Sequence, residues 1–443
     1  MNSPLAQQLG IPAHLQQFEP THQAALARVA AITPSVYART RNALDGAVTG
    51  LSPYLTHGIL SLNEVASAVA HQHRLSYDDK LVFELGWREF FHHVWESTPQ
   101  PSDILKNMRP MNLWQGKYAE GLPVDIREGR TGVPCIDSAV RQLYATGYLH
   151  NHARMWIASY CIHFRKVHWR AGADWLYAHL LDGDLASNHL SWQWVASSFS
   201  SKPYLFNAEN VGKYAPQHAF KAWVSRKTTI DDSYEALDEM ARSCSDVGAE
   251  PGEHEGVEEP TMLHPSRDDF LSQISAIAGI SADKFAPDLV ASLLQTRHEK
   301  TPDQPIELVH PWAMRERNTD EKPALRIGII HASAHQKLPW SGKRWAFVLQ
   351  RMQDVCDAVW IGEVGKLALV QGWPGRAKVT SQATLHEGYR ELLGRMTHLT
   401  PAPKLFAQPT KLCGSFTKFY EQAQRGQRDF SKLLELPQQS QLL

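Results

Sequence analysis

The segment Leu181 to Trp194 sets two carboxylates, Asp182 and Asp184, beside an amide at Asn188 and indoles at Trp192 and Trp194. Carboxylates near large aromatics are costly unless something fixed satisfies them. An indole usually fills a core or stacks on something flat. One reading is a bound polar aromatic ligand, its hydroxyls or ring N–H groups gripped by the carboxylates. The other is a helix start, with Asp182 or Asp184 as N-cap and the indoles as core.

Three further clusters carry similar chemistry. Glu84, Trp87 and Arg88 are spaced to share one helix face. There they either grip a base edge, stack on it and hold a phosphate, or form an ordinary surface Glu–Arg pair. Asn151 and Met155 also share a face, beside Arg154, a partner for a carboxylate or phosphate. Asn151 is equally a helix cap. Thr49 to Gly58 offers hydroxyls and backbone N–H groups just before a helix, as phosphate sites do and as plain turns do.

Helical periodicity predicts the elements that hold these groups: Leu60 to Ala70, Lys80 to Trp95, Ile136 to Ala145 and Ala153 to Phe164. Turn signals at Thr49-Gly50, Thr131 to Pro134, Thr146-Gly147 and Asp182-Gly183 separate them. Residues 243–266 carry six acids and neither Lys nor Arg, the composition of a solvated linker. A short helical piece is expected around Arg267 to Arg297. Leu325 to Ile330, Lys343 to Val355 and Ala358 to Ile361 then read as strand, helix and strand, a small α/β domain without a glycine-rich nucleotide motif. The expected fold class is therefore mostly α, in three parts: a helical domain over 1–230, an acidic linker with a short helical segment over 231–322, and a small α/β domain over 323–443.

Composition narrows the class. The chain has 443 residues, 43% hydrophobic and 21% charged, with fourteen Trp, as for a globular protein of two or three domains. A net charge of -1 means that any nucleic-acid contact comes from a local basic patch. The five Cys are scattered without a CxxC pair, so neither a zinc site nor a disulfide framework is expected, and no metal. With no signal peptide and no membrane-length apolar run, the expected location is cytoplasmic.

Taken in order, these motifs resemble the FAD-binding domain of the photolyase/cryptochrome family. The matching residues are Leu51 to Leu55 with Gly58, Glu84 to Phe90, Gly129 to Gly132 with Pro134 and Asp137, Arg141 to Leu143, Thr146-Gly147, His150-Asn151, Arg154-Met155, Asp182 to Ala186 and Trp192 to Trp194. They fall within residues 35–215, about half the chain. The resemblance implies an all-helical FAD-binding domain. Tyr37, Thr49, Leu51 and Ser52 match positions that hold the phosphates and ribityl chain. Arg154 matches the Arg beside the flavin, Asp182 and Asp184 match residues around its ring and hydroxyls, and Asn188 matches the residue facing N5. Asn at that position resembles repair enzymes.

Glu84, Trp87, Asn151, Met155 and Trp194 match the lesion-contacting set of the cyclobutane-dimer branch. The 6-4 branch has His where this chain has Asn151 and Met155. The implied activity is light-driven splitting of pyrimidine dimers in UV-damaged DNA by an electron from excited reduced FAD, with the bases flipped out of the duplex. Glu84 would stabilise the dimer radical anion. The alternative is a cryptochrome-like photosensor without repair, its α/β domain binding a protein partner.

Four departures accompany the resemblance. Only 36 residues precede Tyr37, so the family's N-terminal antenna domain is not expected there, and no antenna pigment is carried over. His152 stands where the family has a DNA-facing Arg. Trp192 and Trp169 match the inner members of the electron-transfer chain, but the surface Trp is missing from its usual spacing, with Trp114 and Tyr118 nearby. The segment after Trp194 also departs; Arg88, Lys202, Lys213, Lys221 and Arg226 are candidates for a basic groove or are solvated surface, and His152 stands at the position next to the DNA.

Overall fold

The computed structural model describes residues 4–243, 256–267, 269–278, 280–317, 323–424, 430 and 434. Contacts divide the chain into two compact units, each assembled from separated stretches. The first is Met1–Phe18, Thr33–Gly50 and Ser102–Pro260; the second is Glu19–Ile32, Leu51–Pro101 and Thr261–Leu443.

The first unit is helical. Its core joins Ile136, Val140 and Leu143 to Trp156, Ile157, Trp169 and Leu176. Helix Pro134–Thr146 begins on a proline, which needs no N–H there, and stops at Gly147 in the left-handed region at φ 70°. A Cβ at Gly147 would meet Leu181 Cγ at 2.7 Å. The Gly147 carbonyl also accepts from Leu181 N at 2.8 Å. That tight turn fixes the chain immediately before Asp182. Helix Leu185–Val195 then starts on Asp184, whose carboxylate accepts from Ser187 N at 2.8 Å. Helix Asn151–Ser159 is capped by His150 rather than by Asn151: the imidazole Nδ1 accepts from His152 N at 3.1 Å. The Asn151 side chain is thereby left for other work.

The second unit contains a five-stranded parallel sheet: β1 Ile306–Val309, β2 Leu325–His331, β3 Ala358–Gly362, β4 Val379–Gln382 and β5 His398–Thr400, in the order β3-β2-β1-β4-β5. Every residue of β2 is buried, Arg326 and His331 included, as befits an interior parallel strand. The order reverses between β1 and β4, where ligands bind in many such sheets. Here His310 bonds the Gln382 carbonyl at 3.0 Å, and Trp312 stacks on His386 with centroids 3.3 Å apart.

The three-part division expected from sequence is corrected in two places. The α/β half starts before residue 323: helix Pro287–Lys300 puts Val290 and Leu294 into the sheet core, and β1 pairs with β2. Four residues carrying a glutamate between two prolines gave β1 no visible periodicity. Helices Ser52–Thr56, Leu62–Ala70 and Lys80–Glu96 also fall in the second unit, while helix Tyr234–Arg242 belongs to the first and buries Leu237 in its core. Residues 244–255, the centre of the acidic stretch, lie outside the described residues.

Helix Lys80–Glu96 is fastened within its unit by Glu89. This buried carboxylate accepts from Leu405 N, from Phe406 N at 3.0 Å and from Gln408 Nε2 at 2.9 Å. Burial pushes its carboxyl up to about 7, against the pull of those donors and of Lys404. Two further links follow along the helix: Cys413 N donates to His93 Nε2 at 3.1 Å, and Lys404 pairs with Glu96 at 2.5 Å. Glu89→Ala strands two buried backbone donors and should cost about 3 kcal/mol, read as a lower urea midpoint. An unchanged midpoint would show that water satisfies those donors.

Candidate flavin and lesion site

In the first unit, Asp182 and Arg154 form a pair. The guanidinium Nη2 donates to Asp182 Oδ2 at 2.7 Å, with side chains 24% and 2% exposed. Arg154 Nε also donates to the Leu149 carbonyl at 2.9 Å, and the guanidinium lies 5.4 Å from the Tyr148 ring centre. The Asn188 amide donates to the Ala173 carbonyl at 2.9 Å, which fixes its orientation and leaves its oxygen as an acceptor. Ser187 Oγ is buried without a hydrogen-bond partner among the described residues. An oriented amide, a buried hydroxyl and a carboxylate–guanidinium pair are groups of the kind that hydrogen-bond a polar aromatic ring. Asp184 is therefore an N-cap whatever else it does. Tyr37 is half-buried on helix Pro34–Thr40 and Thr49 half-buried in the loop beyond it.

Asn151, exposed at the start of its helix, donates from Nδ2 to Met155 Sδ at 3.4 Å. That helix packs against Leu185–Val195, whose Trp194 is 37% exposed, among the largest apolar side chains left open to solvent. Its ring lies 6.0 Å from that of Tyr204. His152 lies 4.0 Å ring to ring from Tyr214. Burial, then the neighbouring His150, Arg41 and Lys213, bring its pKa down to about 4. It is a neutral aromatic at pH 7 and does not replace the cation that the resemblance places there.

Trp192 packs against the helix that carries Trp169: a Cβ on Gly172 would fall 2.3 Å from its ring. From Trp169, whose Nε1 donates to Asn107 Oδ1 at 2.5 Å, rings continue through His168 at 5.7 Å, Tyr118 at 6.5 Å and Trp114 at 4.9 Å. Gly172→Ala should displace the Trp192 ring and cost about 2 kcal/mol. A melting curve identical to the parent would contradict that close approach.

In the second unit, Leu51 is buried and Ser52 opens the five-residue helix Ser52–Thr56. Glu84, Trp87 and Arg88 lie half-buried on Lys80–Glu96. Arg88 donates to Thr56 Oγ1 at 3.4 Å and to the Leu55 carbonyl at 3.5 Å, so a phosphate would compete with acceptors already present. Trp87 stacks face to face on Phe416, with centroids 4.1 Å apart and planes 7° apart. Sequence reading missed Phe416, Glu89 and Gly172. Only Gly172 left a trace, a helix-interior glycine, which usually marks close packing.

Residues 81–248 match the family model described as the FAD binding domain of DNA photolyase. The chain is 34% identical over 198 residues to a deoxyribodipyrimidine photo-lyase of Vibrio cholerae, covering 42% of each protein. A Synechococcus deoxyribodipyrimidine photo-lyase is 33% identical over 209 residues, 44% of this chain and 43% of that one. A chloroplastic/mitochondrial cryptochrome DASH of Oryza sativa is 34% identical over 169 residues, 36% and 28% respectively. A Synechocystis cryptochrome structure aligns at TM-score 0.43 and 25% identity, over 53% of this chain and 52% of that one. The chain thus spans less than half the length of these curated relatives. Over residues 81–248 the chain is thus similar to the FAD-binding domain of DNA photolyases. Among the described residues, no helix is long and apolar enough to cross a membrane.

Proposed function

We propose that this protein is a light-driven repair flavoprotein acting on cyclobutane pyrimidine dimers in UV-damaged DNA. When bound in its reduced form, FAD supplies an electron on blue-light excitation. Arg154, paired with Asp182, and Asn188, oriented by the Ala173 carbonyl, hold the flavin ring, while Tyr37, Thr49, Leu51, Ser52 and Asp184 serve its ribityl and phosphate parts. Trp192 and Trp169 relay electrons inward. Trp87, Asn151, Met155 and Trp194 receive the flipped bases, and Glu84 holds a hydrogen bond to the base that gains negative charge.

The observations that support this reading most are the exposed Trp194 indole and, on a helix packed against its own, the Asn151–Met155 pair. An exposed indole, an amide and a soft thioether on packed helices suit a flat base with hydrogen-bonding edges better than they suit water. The test is Glu84→Ala. The variant should keep its flavin and lose about tenfold in dimers repaired per absorbed photon, since one charge-assisted hydrogen bond amounts to about 1.5 kcal/mol. Full repair by the variant would remove Glu84 from the site. A second reading, a photosensor without repair, draws on His152: a neutral ring against Tyr214 gives DNA no charge there.

A further inference from the structure

The stack between Trp87 and Phe416 extends beyond one pair of rings. Phe416 stacks in turn on Tyr420, 5.2 Å away and tilted 24°, and meets Phe83 edge-on at 4.7 Å. The Tyr420 hydroxyl donates to the Tyr77 carbonyl at 2.8 Å, pinning the far end of the ladder. Gly86, beside Trp87 in sequence, lies where a Cβ would come within 2.8 Å of the Tyr420 ring, so this approach requires glycine. The helix that bears Phe416 and Tyr420, Phe416–Gln424, follows the segment held by Glu89 and His93. One face of the Trp87 indole is thus fixed by a rigid ladder from the C-terminal part of the chain, while Trp87 itself stays half-buried with part of its surface open.

We propose that Phe416 is a positioning residue for Trp87, setting the plane of the indole on which a flipped base stacks. This rests on the reading that Trp87 contacts the lesion. It gives helix Phe416–Gln424 a part in substrate recognition, which plain core filling would not. A core filler needs only volume, which leucine nearly supplies. A residue that sets a ring plane needs a flat face, which tyrosine and tryptophan supply and leucine does not.

The test uses the full-length, FAD-bound protein with Phe416→Leu and Phe416→Tyr. Three quantities are read: affinity for a dimer-containing oligonucleotide, repair per photon at saturating DNA, and the 19F line of 5-fluorotryptophan at Trp87, assigned with Trp87→Phe. Phe416→Leu should weaken dimer binding about three- to tenfold, leave repair at saturation and flavin content unchanged, and shift or broaden the Trp87 line. Phe416→Tyr should restore both binding and line. If Phe416→Leu unfolds, Phe416→Trp and Phe416→Met make the same comparison. Dimer affinity equal to the parent, or tighter because Phe416 was covering the site, overturns the proposal. A parent protein that binds no dimer overturns the repair reading, and this one with it.

Discussion

Asp182→Ala should leave a protein that loses its flavin on purification and unfolds more readily. The Arg154 guanidinium, three-quarters buried, accepts no hydrogen bonds and donates to Asp182 at 2.7 Å. Removing the carboxylate strands a buried cation, the change that makes one-sided loss of buried pairs so damaging, at about 3–4 kcal/mol. Losing even part of that preorganisation should cut flavin affinity by at least about tenfold. The 450 nm absorbance of the purified variant, against protein concentration, reads the cofactor loss, and urea unfolding reads the stability. Asp182→Asn separates shape from charge: it keeps an acceptor for Arg154 but leaves the cation unpaired, so it should recover only part of the stability and still bind flavin poorly. A yellow Asp182→Ala protein would remove the pair from the cofactor site.

Acid should weaken both units well above the range where most carboxylates titrate. In the first unit, burial brings His150 and His163 down to about 4 from an ordinary 6.5. His163 Nδ1 has no hydrogen-bond partner among the described residues, so a proton there would sit unmatched in the core. In the second unit, burial lowers His310 to about 4 and His335 to about 3. A depressed histidine is neutral when folded and takes a proton when unfolded. Its contribution is present above pH 6.5 and is lost as pH falls toward 4, roughly 2 kcal/mol for each by pH 5. Glu89 works in the opposite sense. Its carboxyl, pushed up to about 7, contributes stability that is present below its ordinary 4.5 and lost as pH rises through 7. Four histidines outweigh one glutamate, so the urea midpoint should fall steadily from pH 7.5 to pH 5. A midpoint that holds or rises over that interval would mean these histidines reach water.

What could be read from sequence was local. The helix around Lys80 to Trp95 and the strand–helix–strand run from Leu325 to Ile361 each carry their periodicity within a dozen or so residues, and both formed nearly where expected. Asp182 and Arg154 were each singled out from the family motif, and they pair. The unread features depend on contacts far apart in the chain. Nothing near Glu89 announces that its partners are Leu405, Phe406 and Gln408, and nothing near Trp87 announces Phe416. The short strand Ile306–Val309 becomes visible only when paired with β2 and β4. His150 took the cap that Asn151 was equally suited to fill, a choice made by the second bond from its ring to the Arg41 carbonyl at 2.9 Å.

Light-driven repair is read directly from the reduced, FAD-loaded protein under blue light. The purified protein is loaded with FAD, chemically reduced, and mixed with an oligonucleotide carrying one cyclobutane thymine dimer. The thymine absorbance regained under blue light is then compared with a dark control. Steady recovery of thymine in the light and none in the dark is the expected result. Equal absorbance in light and dark, from a protein that demonstrably holds reduced flavin, would contradict repair and leave a flavin photosensor as the reading of this chain.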